Sequence, residues 1–244
     1  MALHDQLEKQ GYNLRTSANG LPFFVLVLSY IFILTSAVYP ENYFFQASEY
    51  EIIYESACLL FSLSGYGILI YTHGYTNNAS MLKNTSVIEV SFSKSGAYSV
   101  VRHPISSGIF LMWLGPCFVT GNLFFIISFM LFCCVFFERI MFWEELQFKK
   151  KLGVKYSIWA EQVPALIPNL HKFKKPDEKF NIARAFKNST GQLSLVLFAF
   201  FLFDAMTEIL VVKPDYNDLY FIMLLIATLI TTIGKIEDRF NKSS

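Results

Sequence analysis

Charged residues are scarce in this chain: they make up 16% of its 244 residues, against 54% hydrophobic and 17% aromatic. A soluble domain of that length needs more polar surface to meet water, so the composition excludes an ordinary water-soluble protein. Net charge is also small, at +1, and no long basic run with interleaved aromatics occurs. Both absences argue against a nucleic-acid partner. Cysteine is limited to Cys58, Cys117, Cys133 and Cys134, all within hydrophobic segments and without the spacing of a disulfide framework or a zinc site. Histidine is limited to His4, His73, His103 and His171, with no paired spacing, so the sequence assigns no metal ligands. The polar start, Met1 to Gly20, leads into a hydrophobic segment without a small-residue cleavage site, and a cleaved signal peptide is not expected.

What the chain has instead is apolar windows long enough to cross a bilayer core of about 30 Å as helices. They fall at Leu21 to Tyr39, Ile52 to Tyr71, Ile105 to Thr120, Leu123 to Phe137, Leu193 to Val212 and Leu219 to Ile233. Of the 20 Lys and Arg residues, 19 lie in segments that alternate to one side of these windows, and 11 of them lie between the fourth and fifth. The expectation is an all-α, polytopic integral membrane protein of about six transmembrane helices, one membrane domain over 1–244, with both termini and both long polar loops in the cytoplasm. Gly121-Asn122 predicts a tight turn joining the third and fourth spans into a hairpin. The sequons at Asn78, Asn84 and Asn188 fall on the cytoplasmic side of this topology, which argues against glycosylation.

Two polar stretches at the membrane boundary carry chemistry. In Gly96-Ala97-Tyr98-Ser99-Val100-Val101-Arg102-His103-Pro104, the proline sits where the third helix begins and His103 becomes its cap or the cap's neighbour. Unpaired N–H groups and the positive end of the helix dipole, with Arg102 beside them, make this start attractive to a carboxylate or phosphate. Lipid-headgroup anchoring by Arg102 and His103 explains the stretch equally well on its own. In the second stretch, Glu138-Arg139-Ile140-Met141-Phe142-Trp143-Glu144-Glu145, three carboxylates and an arginine continue the fourth span out of the membrane. Acidic groups gathered there require a cation or hydrogen-bond donors to offset them. The plainer alternative is a solvated helix end, with Lys149, Lys150 and Lys151 serving as partners within the same helix. Taken together, the stretches offer both signs of charge, which suits S-adenosylmethionine with its carboxylate, ammonium and sulfonium. Tyr98, Trp143, Tyr156 and Trp159 lie at the same level and could pack on it, although interfacial anchoring explains any one of them.

The ordered set Gly96-x-Tyr98-x-x-x-Arg102-His103-Pro104-x-x-x-Gly108, then Glu144-Glu145, Leu152-Gly153, Tyr156, Trp159, Val163-Pro164 and Ile167-Pro168, resembles the membrane methyltransferase superfamily of isoprenylcysteine carboxyl methyltransferases and phospholipid methyltransferases. The resemblance covers 96–168 and leaves 169–244 as a C-terminal extension of two helices. It implies an S-adenosylmethionine pocket on the cytoplasmic side, with Tyr98, Arg102, His103, Gly108, Glu144 and Glu145 as cofactor-site residues. Ser106 stands where the family often has Tyr. The extension and the Tyr98–Pro104 and Phe137–Phe142 phrases look like bacterial lipid A 1-phosphate methyltransferases, although Met81 and Leu82 replace the Gly-Arg of that subfamily.

This likeness implies an enzyme of the bacterial inner membrane, with its active site facing the cytoplasm, that methylates a lipid phosphate. An anionic phosphate needs orientation rather than a strong base. Arg139 is the acceptor-side candidate, with Glu138 beside it. Alternatives are a prenylated cysteine carboxylate or a phospholipid amine as acceptor. A wider relative using NADPH fits less well, because the Glu-Glu segment matches the methyltransferases. A six-helix transporter is the alternative of another class, resting on Glu55, Asp204 and Glu208 within spans.

Overall fold

In the computed structural model the described residues are 3–17, 20–39, 51–76 and 93–210, with 221–222, 224–226, 228–229 and 231–232. Among them the chain is helical: α1 Leu3–Thr16, α2 Leu21–Val38, α3 Glu51–Tyr75, α4 Pro104–Val119, α5 Leu123–Leu152, α6 Val154–Gln162 and α7 Ile182–Leu210, with 3-10 turns at Ala97–Ser99 and Leu170–Lys172. Four of these, α2, α3, α5 and α7, are long and apolar enough to cross a membrane, while α4 is apolar but shorter. Of the expected sixth span, Leu219 to Ile233, residues 221–222, 224–226, 228–229 and 231–232 are described and helical, while both chain ends, Asn78, Ser80 to Leu82 and Asn84 lie outside the described residues. Large apolar side chains point outward on these helices, for example Phe23 and Val38 on α2 and Phe124 and Leu131 on α5. Such faces suit hydrocarbon, which exacts no penalty for exposed apolar surface.

Two of the elements differ from the sequence reading. α1 was not expected, because its segment is polar with mixed charge. α7 begins at Ile182 rather than Leu193, since Asn181 caps it: Arg184 N donates to the Asn181 side chain at 2.9 Å and Ala185 N to its carbonyl at 3.0 Å. α5 runs unbroken for 30 residues, so the fourth apolar window and the Glu138–Glu145 stretch form one rod.

The described chain falls into two compact units. The first comprises Met1–Thr16, Tyr66–Ile109 and Phe136–Ser189, and the second Ser17–Gly65, Phe110–Val135 and Thr190–Ser244. The core of the second unit holds Val25, Ile33, Phe125, Phe129, Phe200 and Phe203, all but inaccessible. Polar side chains of α3 there bond to backbone carbonyls of α4. Ser62 Oγ donates to the Met112 carbonyl at 2.6 Å and the Tyr54 hydroxyl to that of Phe118 at 2.7 Å. Gly121, with φ +58°, makes the expected turn, and Asn122 caps α5 by accepting from Phe125 N at 3.0 Å while donating to Ser36 Oγ at 2.6 Å. Gly115 of α4 is packed against the Cys58 carbonyl and Ser62 of α3, leaving no room for a Cβ. The four cysteines are free, as expected, three buried and Cys134 exposed.

In the first unit α1 lies along the polar end of α5. Gly11 meets the Arg139 carbonyl and Trp143, Tyr12 packs on Trp143 with ring centroids 5.9 Å apart, and Glu8 binds Lys150. Glu8 also accepts from Gln147 at 3.3 Å. The Lys150 hydrogen bond holds the Glu8 carboxyl below its ordinary pKa. Behind the Arg102-His103 segment sits a small core of Tyr98, Tyr156, Trp159 and Val163, with Phe148 stacked on Tyr156.

Candidate functional site: an ion chain at the start of α4

The helix start at Pro104 forms as the sequence predicts. His103 is its cap, its carbonyl accepting from Ser107 N and Ser107 Oγ, each at 3.1 Å. The approach to it is fixed by the chain that follows α6. Arg102 N donates to the Pro164 carbonyl at 2.8 Å, Asn169 N to that of Val100 at 2.9 Å, and Gly96 N to that of Lys174 at 2.9 Å. Lys174 N in turn donates to Ser99 Oγ at 2.9 Å. Gly96 can take part because it adopts φ +60°, a backbone state costly for side-chain-bearing residues. Two segments far apart in sequence are thereby laced together, and the backbone leading to Arg102 and His103 is held in place.

Those side chains meet the acidic pair of α5. Arg102 Nη1 lies 2.7 Å from Glu145 Oε1, and His103 Nε2 is 3.1 Å from the same oxygen. The other ring nitrogen, Nδ1, is 3.3 Å from Glu144 Oε2, and Glu144 Oε1 faces Arg15 Nε of α1 at 3.6 Å. The result is a chain of alternating charge, Arg102–Glu145–His103–Glu144–Arg15. Burial of His103 opposes its protonation, but the carboxylates of Glu144 and Glu145 outweigh that and hold its pKa above the ordinary value. With a carboxylate on each nitrogen the ring is suited to be a fixed imidazolium rather than a base. Tyr98 and Tyr156 are driven upward, first by burial and then by Glu144 for Tyr98 and Glu145 for Tyr156, with Arg102 partly offsetting the latter. Both remain neutral phenols at physiological pH.

The α4 start is therefore not the open anion site its sequence suggested, because its cations are already engaged by α5. What remains available is Arg102, whose Nε is buried without a hydrogen-bond partner among the described residues. It borders an open cavity of about 780 Å³, walled by Gln162, Pro164, Pro168, Asn169 and His171. Volumes of this order are typical of cofactor-sized sites.

Of the residues singled out from sequence, Arg102, His103, Glu144 and Glu145 come together. Tyr98 is packed in the aromatic core beneath them, and Gly108 is buried one turn into α4. Glu138 and Arg139 stand apart. They pair with each other at 3.7 Å, Glu138 is 65% exposed, and among the described residues no ion pair or hydrogen bond ties either to the cluster. The lysines of α5 are not the partners of its acidic pair either, since Lys150 goes to Glu8. Arg15 was missed, and so was the role of Glu8; the one signal for both was a basic residue in the last turn and acidic residues near the start of a short amphipathic segment. No protein-family model, curated protein or solved structure matches this chain.

Proposed function

We propose that this protein is an S-adenosylmethionine-dependent integral membrane methyltransferase acting on a lipid. The observation that carries the reading is the ion chain Arg102–Glu145–His103–Glu144–Arg15 beside the cavity that Arg102 borders. Arg102 brings a guanidinium to the cavity for the donor's carboxylate, its unsatisfied Nε being a donor in want of an acceptor, and Glu161 on the same wall offers a carboxylate for the ammonium, while Glu145 and Glu144 hold Arg102 and His103 in place. The fit is to a zwitterionic amino-acid moiety. Bound there, S-adenosylmethionine would supply an electrophilic methyl group. Residues of this chain would orient the donor and exclude water, and none of them is arranged as a general base: both ring nitrogens of His103 face carboxylates, which raise its pKa, and the two phenols are neutral. An acceptor that is already nucleophilic, such as a phosphate or carboxylate, needs no base. That preference favours an anionic lipid over an amine.

The finer reading is a six-span protein of the bacterial inner membrane with both termini and the site on the cytoplasmic side, methylating the 1-phosphate of lipid A. It draws on the motif set over 96–168, the distribution of basic residues, and the apolar helices. Arg139 remains the acceptor-side candidate as a cation at the membrane boundary, 26% exposed and outside the ion chain. A second reading, transport, draws on Glu55, buried at 6% exposure in the apolar second unit. The test is to incubate purified protein with S-adenosylmethionine labelled in its methyl group and an extract of membrane lipid. Label in a lipid A species supports the full proposal, label in another lipid reassigns the acceptor, and a protein that neither binds nor consumes the donor sinks it.

A further inference from the structure

A second cavity, of about 590 Å³, lies on the other side of the wall formed by Gln162, Val163 and His171. Its rim is basic: Lys94, His171, Lys172 and Lys174 line it, and no Asp or Glu does so among the described residues. Its floor is apolar, made by Trp159, Ile158 and Phe173. Two of these apolar side chains are largely uncovered among the described residues: Ile158 is 56% exposed and Phe173 51%. Lys172 is committed to the wall, its ammonium donating to the Gln162 carbonyl at 2.6 Å. Lys174 is placed by its backbone, which is tied to Gly96 and Ser99 and leaves the side chain out of the scaffold's bonds.

A basic rim over an exposed apolar floor suits an anionic amphiphile. Free phosphate would use the lysines but leave the apolar groups in water. A zwitterionic lipid would cover the apolar groups but gain less from the lysines. We infer that the cavity rimmed by Lys94, His171, Lys172 and Lys174 docks the phosphate headgroup of an anionic membrane lipid, with Ile158 and Phe173 against its hydrophobic portion. This rests on the methyltransferase reading for its purpose, and it places the acceptor headgroup at these lysines in place of Arg139, which does not line the cavity. The shared wall sets that headgroup next to the Arg102 cavity. Lysine suits such a role, since it acts on phosphate as a mobile point charge and leaves room for a bulky headgroup.

The test uses the full chain in non-ionic detergent and three probes followed by calorimetry: short-chain phosphatidic acid, phosphatidylcholine of the same chain length, and inorganic phosphate. Phosphatidic acid should bind at least about tenfold more tightly than either other probe. Lys94→Gln and Lys174→Gln should each weaken it about fivefold and the pair together about 25-fold. Lys94→Arg and Lys174→Arg should retain binding, and all four variants should keep the unfolding temperature of the parent. Equal binding of phosphatidic acid and phosphatidylcholine, or undiminished binding by the double glutamine variant, overturns the inference. Inorganic phosphate binding as tightly as the lipid overturns it as well, by marking a site for a soluble anion. Failure here is separable from failure of the donor site, because Glu145→Ala should abolish S-adenosylmethionine binding while leaving phosphatidic acid binding intact.

Discussion

The two units bury polarity by opposite means. The second meets the polar groups of Ser62, Tyr54 and Asn122 with neutral partners, backbone carbonyls for the two hydroxyls and the Ser36 hydroxyl for the amide. Its packing is tight enough that Gly115 cannot accept a methyl. The first unit relies on full charges brought from three parts of the chain, Arg15, Arg102-His103 and Glu144-Glu145. Neutral hydrogen bonds contribute about 0.5–1.5 kcal/mol each and tolerate loss locally, whereas a partly buried ion left without its partner carries a larger penalty. The contrast separates a part whose polar side chains meet neutral partners from one in which charges are paired with charges.

Glu145→Ala should strain that contrast most, since one oxygen serves both Arg102 and His103. We expect a loss of about 2–3 kcal/mol in unfolding measurements, together with loss of donor binding. Gly115→Ala should cost about 1–3 kcal/mol through overpacking, yet leave donor binding unchanged, which thermal unfolding and a binding titration on one sample would check. The His103 contribution should depend on pH with a definite sign. Its pKa is raised on folding, so the stabilisation is complete below the ordinary histidine value of about 6.5 and is lost as pH rises through the raised one. Unfolding temperature should therefore fall on that ascent in the parent and stay flatter in His103→Asn. Arg15→Gln should have the smallest effect on stability, within about 0.5 kcal/mol, because the pair is long and Arg15 is 37% exposed. Donor affinity should nonetheless change, since Glu144 loses one of its two partners.

These outcomes also mark what was readable in the chain. The starts of α4 and α5 lay within a residue of their apolar windows, because Pro104 and Asn122 are local signals that need no tertiary partner. The four central site residues were readable from motif and charge. α1 was not, because its register is visible only against α5, through Gly11 on the Arg139 carbonyl and Glu8 on Lys150. The early start of α7 was readable at Asn181, a local cap overshadowed by the search for apolar runs. Pairing across long sequence separations, as between Arg15 and Glu144, leaves no local trace in one sequence.

The most direct measurement is a titration of detergent-purified protein with labelled S-adenosylmethionine, comparing the parent with Arg102→Ala and Glu145→Gln. The account predicts saturable binding by the parent and its loss in both variants at unchanged helical content. Undiminished binding by both would show that the ion chain is not where the donor is held.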